Sequence, residues 1–378
     1  MSDITPFSTL NLVIGSCFYK PDLQAVRILL GVAKTHYLHK GSTPVWMFLV
    51  GPPGTGKTAM NILCAKALYS VVTISSVTEK TFLSGYIDHP CPGLLEKLGR
   101  RYIKDGIIYY DGDAIFLIKD FTTILSMRSE KKTEIITQLR EVHDGEWKIT
   151  TGTGETKVWR GKVTCIAAVT LELDRHYSVL TNMGDRFLQL RIHRQGLGVV
   201  PVAMDLEFME RQFEEAAHEA VAEIFQNSTD RIPRIREEDM IRIDALADLV
   251  AISRTKIHRE RITRQLDDVV PEAESGSRIG RQLGKLAQGI AALKNQYFVE
   301  EDDIQDIFRV GLDSIPEAKR LVLKSTFLNE EPERPMNPTI KSRTLEDLRE
   351  LGIMTGYNSL TEYGLNLAKL IRMKKNAN

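Results

Sequence analysis

The sequence predicts an α/β fold, in which a parallel sheet with crossover helices is followed by a helical domain and a small C-terminal domain. Four short apolar runs are separated by segments with helical periodicity, which is typical of a parallel sheet. These runs lie at residues 45–50, 71–74, 114–118 and 163–169. From about residue 206 the chain changes to long amphipathic patterns without strand-like runs until close to the C-terminus, which predicts that helices follow the sheet.

The composition is that of an ordinary globular chain. Its 378 residues are 43% apolar, which suffices for two or three domains with packed cores. The 50 basic and 50 acidic side chains cancel, so any contact with nucleic acid has to come from local basic surface. Four cysteines without CxxC spacing favour reduced thiols. Without a leader pattern or an apolar run of about 20 residues, the sequence predicts a cytoplasmic protein with no membrane partner.

The first apolar run leads into a glycine-rich loop that matches the pattern GxxxxGK[ST]. Glycines let several backbone N–H groups converge on phosphates, the lysine reaches the β- and γ-phosphates, and the Ser or Thr hydroxyl ligates Mg²⁺. The residues after Lys57 start a helix, whose N-terminus favours a bound anion. The pattern predicts a site for ATP and Mg²⁺ that is formed by Gly51, Pro52, Pro53, Gly54, Thr55, Gly56, Lys57 and Thr58.

The run at residues 114–118 is followed by Lys119, Asp120 and Phe121. A phosphate loop, a parallel sheet and a helical lid over roughly residues 20–310 together resemble the AAA+ ATPases. The resemblance implies a strand that ends in an Asp-Glu pair, with Asp holding Mg²⁺ and Glu polarising the attacking water. Only Asp120 is present here. It takes the Glu position if Phe121 matches the aromatic residue after the pair in MCM-type helicases, and Lys119 then replaces the metal Asp.

If Asp120 is instead the metal acid, the catalytic Glu is missing. The sequence then predicts nucleotide binding more strongly than it predicts efficient hydrolysis. Asp111 and Asp113 supply a second acid only in a different register. In either case Asp120 is predicted to be a catalytic and metal-binding residue.

Three further residues resemble catalytic positions of this family. Thr170 follows the run at residues 163–169, where the resemblance implies a first sensor near the γ-phosphate. Residues 182–187 resemble the segment that carries an arginine finger, so Arg186 is expected to act on the nucleotide of a neighbouring subunit. Arg281 lies in an Arg-Gln-Leu sequence that resembles the second sensor of MCM-like proteins, with Arg278 as the alternative.

Residues 147–150 and 157–160 are β-prone and are joined by a glycine-containing turn, which predicts a hairpin. A hairpin before the sensor strand resembles the pre-sensor-1 hairpin of the AAA+ branch that includes the MCM helicases. The resemblance implies DNA contacts in a central pore, for which Lys148 and Lys157 are the nearest cations. The long connection at residues 81–106 is expected to be either a second pore element or an ordinary surface segment.

We expect three domains, namely residues 1–202 (AAA+ nucleotide-binding domain), 203–311 (helical lid) and 312–378 (winged-helix-like domain). The last domain is expected to contain helix, polar loop, helix, short extended turn and helix, with a capped helix start at Ser342. Such a domain binds DNA or a protein partner.

The resemblance implies an ATPase that forms a homo-oligomeric ring, typically a hexamer, and acts on DNA as a replicative helicase or translocase does. DNA and an initiator or adaptor protein are the expected partners. Two other functions stay open. The zero net charge and a hairpin tip without cations favour an ATP-dependent remodeller of protein complexes. The single acid after residue 118 favours a slow ATP switch that assembles or loads other molecules.

Overall fold

The computed structural model describes residues 7–17, 20–62, 68–78, 80–83, 92–150, 154–176, 184, 186–193, 210–259, 271–327, 335–356 and 359–372. Within these ranges the strands are β1 (Trp46–Val50), β2 (Val71–Ile74), β3 (Arg100–Lys104), β4 (Ile107–Asp111), β5 (Ala114–Ile118), β6 (Glu146–Thr150), β7 (Thr156–Arg160), β8 (Val163–Val169), β9 (Phe187–Arg191), β10 (Met354–Thr355) and β11 (Ser359–Leu360). The α-helices are α1 (Ser8–Cys17), α2 (Leu23–Leu38), α3 (Lys57–Ile62), α4 (Thr122–Leu125), α5 (Ser129–Asp144), α6 (Glu172–Arg175), α7 (Glu210–Asn227), α8 (Glu237–Arg254), α9 (Ser277–Leu293), α10 (Glu301–Asp313), α11 (Glu317–Phe327), α12 (Pro338–Glu350) and α13 (Glu362–Arg372).

Five strands form one parallel sheet in the order β2-β5-β8-β1-β9. Its first four strands in the chain are the four predicted runs, and all residues of β1, β5 and β8 are buried. Parallel strands point the same way, so their carboxyl ends meet at one edge of the sheet, here called the carboxyl edge. Their amino ends meet at the amino edge. Ligands of such sheets bind at the carboxyl edge.

Apolar layers cover both faces of this sheet. Phe48 and Phe116 point into one core together with the short helix α4 and helix α5, and Phe48 stacks on Phe187 with ring centroids 3.8 Å apart. Met47 and Leu117 point into the other core, which α2 and the later helices share. Strands buried on both faces explain why these runs are continuously apolar and do not alternate.

A second sheet of four strands, in the order β3-β4-β7-β6, extends from the amino edge of the first. Strand β4 leads into β5 through Gly112, and β7 leads into β8 through Gly161. A Cβ atom on Gly161 would lie 2.0 Å from Gly112 O, so only glycine fits at Gly161, where the β4–β5 and β7–β8 connections meet. The predicted hairpin at residues 147–160 is confirmed as β6–β7.

Apart from the short β10–β11 pair, the regular elements in the rest of the described chain are helices, as expected. Helices α2 and α9 pack closely because glycines face each other, and a Cβ on Gly289 would lie 2.4 Å from Gly31 O. Helices α11 to α13 continue the same core against α8. Helix α12 begins at Pro338, so the predicted start at Ser342 is wrong; Asn337 caps the helix by accepting a hydrogen bond from Thr339 N.

The predicted extended turn is a hairpin of two residues per strand, β10–β11. None of the helices in the described ranges combines the length and the apolar character needed to cross a membrane.

Candidate functional site

The loop between β1 and α3 has the backbone that a phosphate site requires. Gly54 and Gly56 have φ angles of 75° and 77°, which favour glycine. Lys57 Nζ donates hydrogen bonds to Gly51 O at 2.7 Å and Pro52 O at 2.6 Å. Burial lowers the pKa of Lys57, and the charge of Asp120 opposes that shift. The Lys57 side chain therefore bends back onto the backbone of its own loop, and its ammonium is close enough to Asp120 for the two charges to interact.

Three residues after neighbouring strands form a hydrogen-bonded chain at the carboxyl edge. Asp120 Oδ1 accepts from Thr122 N at 2.9 Å. The hydroxyl of Thr122 accepts from Thr170 N at 3.1 Å and donates to Thr170 Oγ1 at 3.3 Å. Thr170 also follows β8 beside the phosphate loop, because Gly51 N donates to Val169 O. Thr122 was not among the predicted site residues; its place two residues after Asp120 was the available signal.

The structure rejects the alternative register for a second acid. Asp113 precedes β5, and its Oδ1 accepts from Lys162 N at 2.7 Å. Asp111 ends β4, so both carboxylates belong to the amino edge, at the other end of β5 from Asp120. Phe121 is fully buried, with its ring centroid 4.8 Å from that of Phe48.

The carboxyl edge fits Mg²⁺ in the way that nucleotide-binding proteins usually hold it. Thr58 and Asp120 are exposed, and they offer one hydroxyl and one carboxylate oxygen donor. Mg²⁺ completes its octahedral shell from substrate phosphates and water, so a dedicated protein cage is not needed. Consistent with this, the part of the chain that the structure describes contains no group of three or more His, Cys, Asp or Glu side chains arranged around a metal position.

Arg186 lies at the amino edge, directly before β9. Its side chain is 6% exposed, and its Nη2 lies 2.6 Å from Asp144 Oδ2. Asp144 is the last residue of α5, and its carboxylate also contacts His143 Nδ1 at 3.1 Å. The hydrogen bond from His143, together with Arg186, holds the pKa of Asp144 well below its usual range. Arg186 and Lys57 are therefore at opposite edges of one sheet.

Arg278 and Arg281, in the first turns of α9, belong to the same edge as Arg186. A Cβ on Gly184 would lie 2.9 Å from Arg278 Nη1 and 3.3 Å from Arg186 Nη1. Arg281 is exposed, one turn before Lys285, whose Nζ donates to Thr43 O just ahead of β1. The structure thus places Arg278 near Arg186, and both sensor candidates of α9 belong to the amino edge, opposite the phosphate loop of their own chain.

The prediction for Lys157 as a DNA contact needs correction. Its side chain is 4% exposed, and its Nζ lies 3.0 Å from Glu96 Oε1, which is itself buried. Strand alternation turns Lys157 to the inner face of the second sheet, beside Trp147 and Trp159, so its ammonium does not face solvent. Lys148, on the other face, is exposed.

Comparison with known proteins agrees with this geometry. Residues 47–191 match the family model described as ATPase family associated with various cellular activities (AAA). The match begins within β1 and ends with β9, so it includes the phosphate loop, Asp120, Thr170 and Arg186. No curated protein matches the chain significantly. Residues 47–191 therefore form an AAA ATPase domain on a parallel sheet with a phosphate loop, and the predicted fold class is confirmed.

Proposed function

We propose that this protein is a ring-forming ATPase that hydrolyses ATP between subunits and uses the energy to move on DNA, in the manner of MCM-like helicases. The observation that carries the proposal is the separation of Lys57 and Arg186. β9 alone spans five residues, or about 16 Å, between the edges of the sheet. An arginine at the amino edge can reach a γ-phosphate only if a second subunit presents its carboxyl edge.

Such a contact is heterologous, since two different surfaces of identical chains meet. Repetition of a heterologous contact closes into a ring when the rotation per subunit allows it. Arg278 then faces the same interface because it lies near Arg186, and Arg281 follows it one turn later on α9. The proposal therefore assigns all three arginines to the nucleotide of the next subunit.

The residues of the carboxyl edge have distinct tasks in this reaction. Lys57 leaves the carbonyl groups of Gly51 and Pro52 and binds the β- and γ-phosphates. Thr58 and Asp120 would hold Mg²⁺, which neutralises phosphate charge when bound. Thr170 hydrogen-bonds near the γ-phosphate, and Thr122 fixes its orientation.

At the interface, Arg186 of the neighbouring subunit stabilises the charge on the transferring phosphoryl group. In related enzymes an arginine in this role contributes a factor of about 10³ to 10⁵ to the rate. To reach that nucleotide, Arg186 has to break its ion pair with Asp144. The ion pair therefore couples contact between subunits to catalysis.

DNA is favoured as the substrate by the position of the second sheet. Its two hairpins extend from the amino ends of β5 and β8, so they move with the strands that carry Asp120 and Thr170. The β6–β7 hairpin also lies where the sequence resembles the pre-sensor-1 hairpin of MCM-like proteins. A winged-helix-like role of the C-terminal helices, as adaptor for DNA or an initiator protein, belongs to the same proposal.

Steady-state ATP hydrolysis with and without single-stranded DNA, at one fixed salt concentration, tests the proposed function. Lys57→Ala supplies the background. We expect DNA to stimulate turnover several-fold in the wild type and to leave the Lys57 variant at background. ATP turnover that is well above background but is the same with and without DNA would contradict a DNA motor and favour protein remodelling.

A slow ATP switch is the second candidate, and Lys119 favours it. A cation stands where the resemblance implies the metal-binding acid, which weakens Mg²⁺ binding and hydrolysis. Turnover at the level of Lys57→Ala, together with tight ATP binding, would support the switch.

A further inference from the structure

The outer face of the second sheet presents two stacked tyrosines. Tyr102 on β3 and Tyr109 on β4 are cross-strand partners, with ring centroids 5.1 Å apart and planes within 9° of parallel. The same line across the sheet continues through Val158 on β7 to exposed Lys148 on β6. Both tyrosine rings are partly exposed, so the sheet offers aromatic surface to solvent.

Cations surround these rings. Arg100, Lys104 and Lys148 are exposed on the same face, and none of them pairs with a carboxylate in the described part of the chain. Arg160 lies over the Tyr109 ring, 5.2 Å from its centroid. The face also carries two carboxylates, Glu146, which already binds Arg160 at 3.1 Å, and Asp111, the cross-strand partner of Arg100, so the four cations of the face outnumber its carboxylates. The available charge is therefore positive.

The opposite face of this sheet is packed and fixes the position of the rings. Tyr110, Trp147 and Trp159 are buried there, and the Lys157–Glu96 ion pair lies among them. A turn at Asp105 and Gly106, with φ angles of 51° and 75°, joins β3 to β4 and sets their register. The aromatic surface is thus held rigid before any ligand arrives.

We infer that this face, here called the tyrosine platform, binds single-stranded DNA through base stacking on Tyr102, which Tyr109 supports from its other side, and phosphate contacts from Arg100, Lys104 and Lys148. Stacked aromatic rings bind unpaired bases of any sequence, and flanking cations track the backbone. A four-stranded sheet with exposed aromatics has room for about two or three bases. The choice of DNA rests on the proposed function, whereas the preference for a single strand follows from the exposed rings.

Fluorescence anisotropy with a labelled oligothymidine strand of about 20 nucleotides tests the platform. Two variants remove its parts: Tyr102→Ala removes the stack, and Arg100→Ala/Lys104→Ala removes two cations. We expect Tyr102→Ala to weaken binding by about tenfold or more, as base stacking on an aromatic ring commonly contributes, and we expect the double variant to weaken binding through the loss of phosphate contacts. For the double variant the slope of log affinity against log salt should fall by about 1.4, since each single-strand phosphate contact contributes about 0.7.

Matched controls come from the same strand. Tyr102→Phe keeps the ring, and Arg101→Ala removes a cation that alternation places on the other side of β3; both should bind as the wild type does. Urea denaturation shows that a variant has folded. Unchanged DNA affinity in folded Tyr102→Ala and Arg100→Ala/Lys104→Ala proteins would overturn the platform.

The outcomes separate this inference from the proposed function. If DNA stimulates ATP hydrolysis in the wild type but the platform variants bind normally, the platform is wrong and the motor stands. If the wild type binds DNA through the platform without stimulation, the motor is wrong. Tighter binding of oligouridine RNA would overturn the choice of DNA. A change of oligomeric state in place of DNA affinity, measured by light scattering, would identify the face as a subunit contact and overturn the inference.

Discussion

Arg186 Nη2 lies 2.6 Å from Asp144 Oδ2, and its Nε lies 3.3 Å from Asp144 Oδ1, so one carboxylate holds the buried guanidinium through two nitrogens. Asp144 ends α5, and Gly145 then turns the chain into β6 with a φ angle of 88°. The proposed finger is consequently tied to the base of the β6–β7 hairpin. If Arg186 acts on a neighbouring subunit as proposed, its release from Asp144 is linked to movement of that hairpin.

Replacement of Asp144 by Asn should destabilise the folded chain. Arg186 is buried, and Asn keeps only one acceptor oxygen, so the replacement removes the negative charge and one of the two hydrogen bonds from a buried cation. We expect the free energy of unfolding in urea to fall by about 1–3 kcal/mol. Glu141→Gln, on an exposed position of the same helix, is the control and should change it by less than about 0.5 kcal/mol. Equal effects of the two variants would contradict the importance of the pair.

Lys119→Asp should increase ATP turnover and lower the Mg²⁺ concentration required for it. If buried Phe121 matches the aromatic residue after the acidic pair, Asp120 takes the second acid position and a carboxylate at 119 supplies the first. The measurement is the Mg²⁺ dependence of hydrolysis, with Lys119→Ala as the control for loss of positive charge. If the Asp and Ala variants behave alike, Asp120 is itself the metal acid.

Lys157→Met should harm folding, because it leaves the buried Glu96 carboxylate without the ammonium 3.0 Å away. Breaking a buried ion pair in this way typically costs about 3–5 kcal/mol, whereas replacing both partners by apolar residues is often nearly neutral. Lys157→Met/Glu96→Leu should therefore recover most of the lost free energy of unfolding. A fully stable Lys157→Met protein with weakened DNA binding would restore the original prediction of a DNA contact.

The free energy of unfolding should rise as the pH increases from about 8 to 10. Burial lowers the pKa of Lys162 and of Lys319 to about 8, from an ordinary value near 10.5. Between these pH values the two lysines are still largely protonated in the unfolded chain but largely deprotonated in the folded chain. Because the unfolded chain binds more protons, raising the pH increases the free energy of unfolding, by up to about 2 kcal/mol per lysine. Urea titrations at the two pH values measure the change.

Lys162→Met/Lys319→Met is the variant for that comparison. Lys162 Nζ donates to Thr35 O, His36 O and His39 O at the end of α2, and Lys319 Nζ donates to Ser253 O and Thr255 O at the end of α8. The double variant should be less stable at each pH and should lose most of the rise. If the free energy of unfolding rises by the same amount in the variant, other titratable groups cause the rise.

Local patterns predicted most of the nucleotide domain. Strands β2, β5 and β8 coincide with the predicted runs, because strands buried on both faces are continuously apolar. The β3–β4 hairpin was not predicted; β3 lies within the connection at residues 81–106, and β4 directly follows that connection. Its signal was present at Asp105-Gly106, a dipeptide typical of two-residue hairpin turns.

Contacts between distant segments could not be predicted in the same way. The burial of Lys157 depends on Glu96, 61 residues earlier, and on which face of the second sheet the hairpin turns inwards. The position of Arg281 depends on how α9 packs on α2, which is decided by close glycine contacts and not by helical periodicity. Domain boundaries and the winged-helix-like character of the C-terminal region stay predictions.

Mixing two inactive variants tests most directly whether ATP is hydrolysed between subunits. Lys57→Ala lacks the phosphate-binding lysine, and Arg186→Ala lacks the finger, so each alone should be inactive. In an equal mixture about a quarter of the interfaces pair an intact Lys57 with an intact Arg186, because every interface is heterologous. Recovery of hydrolysis up to about that fraction of wild type is predicted. A mixture as inactive as its components, in rings shown to exchange subunits, would contradict a shared site.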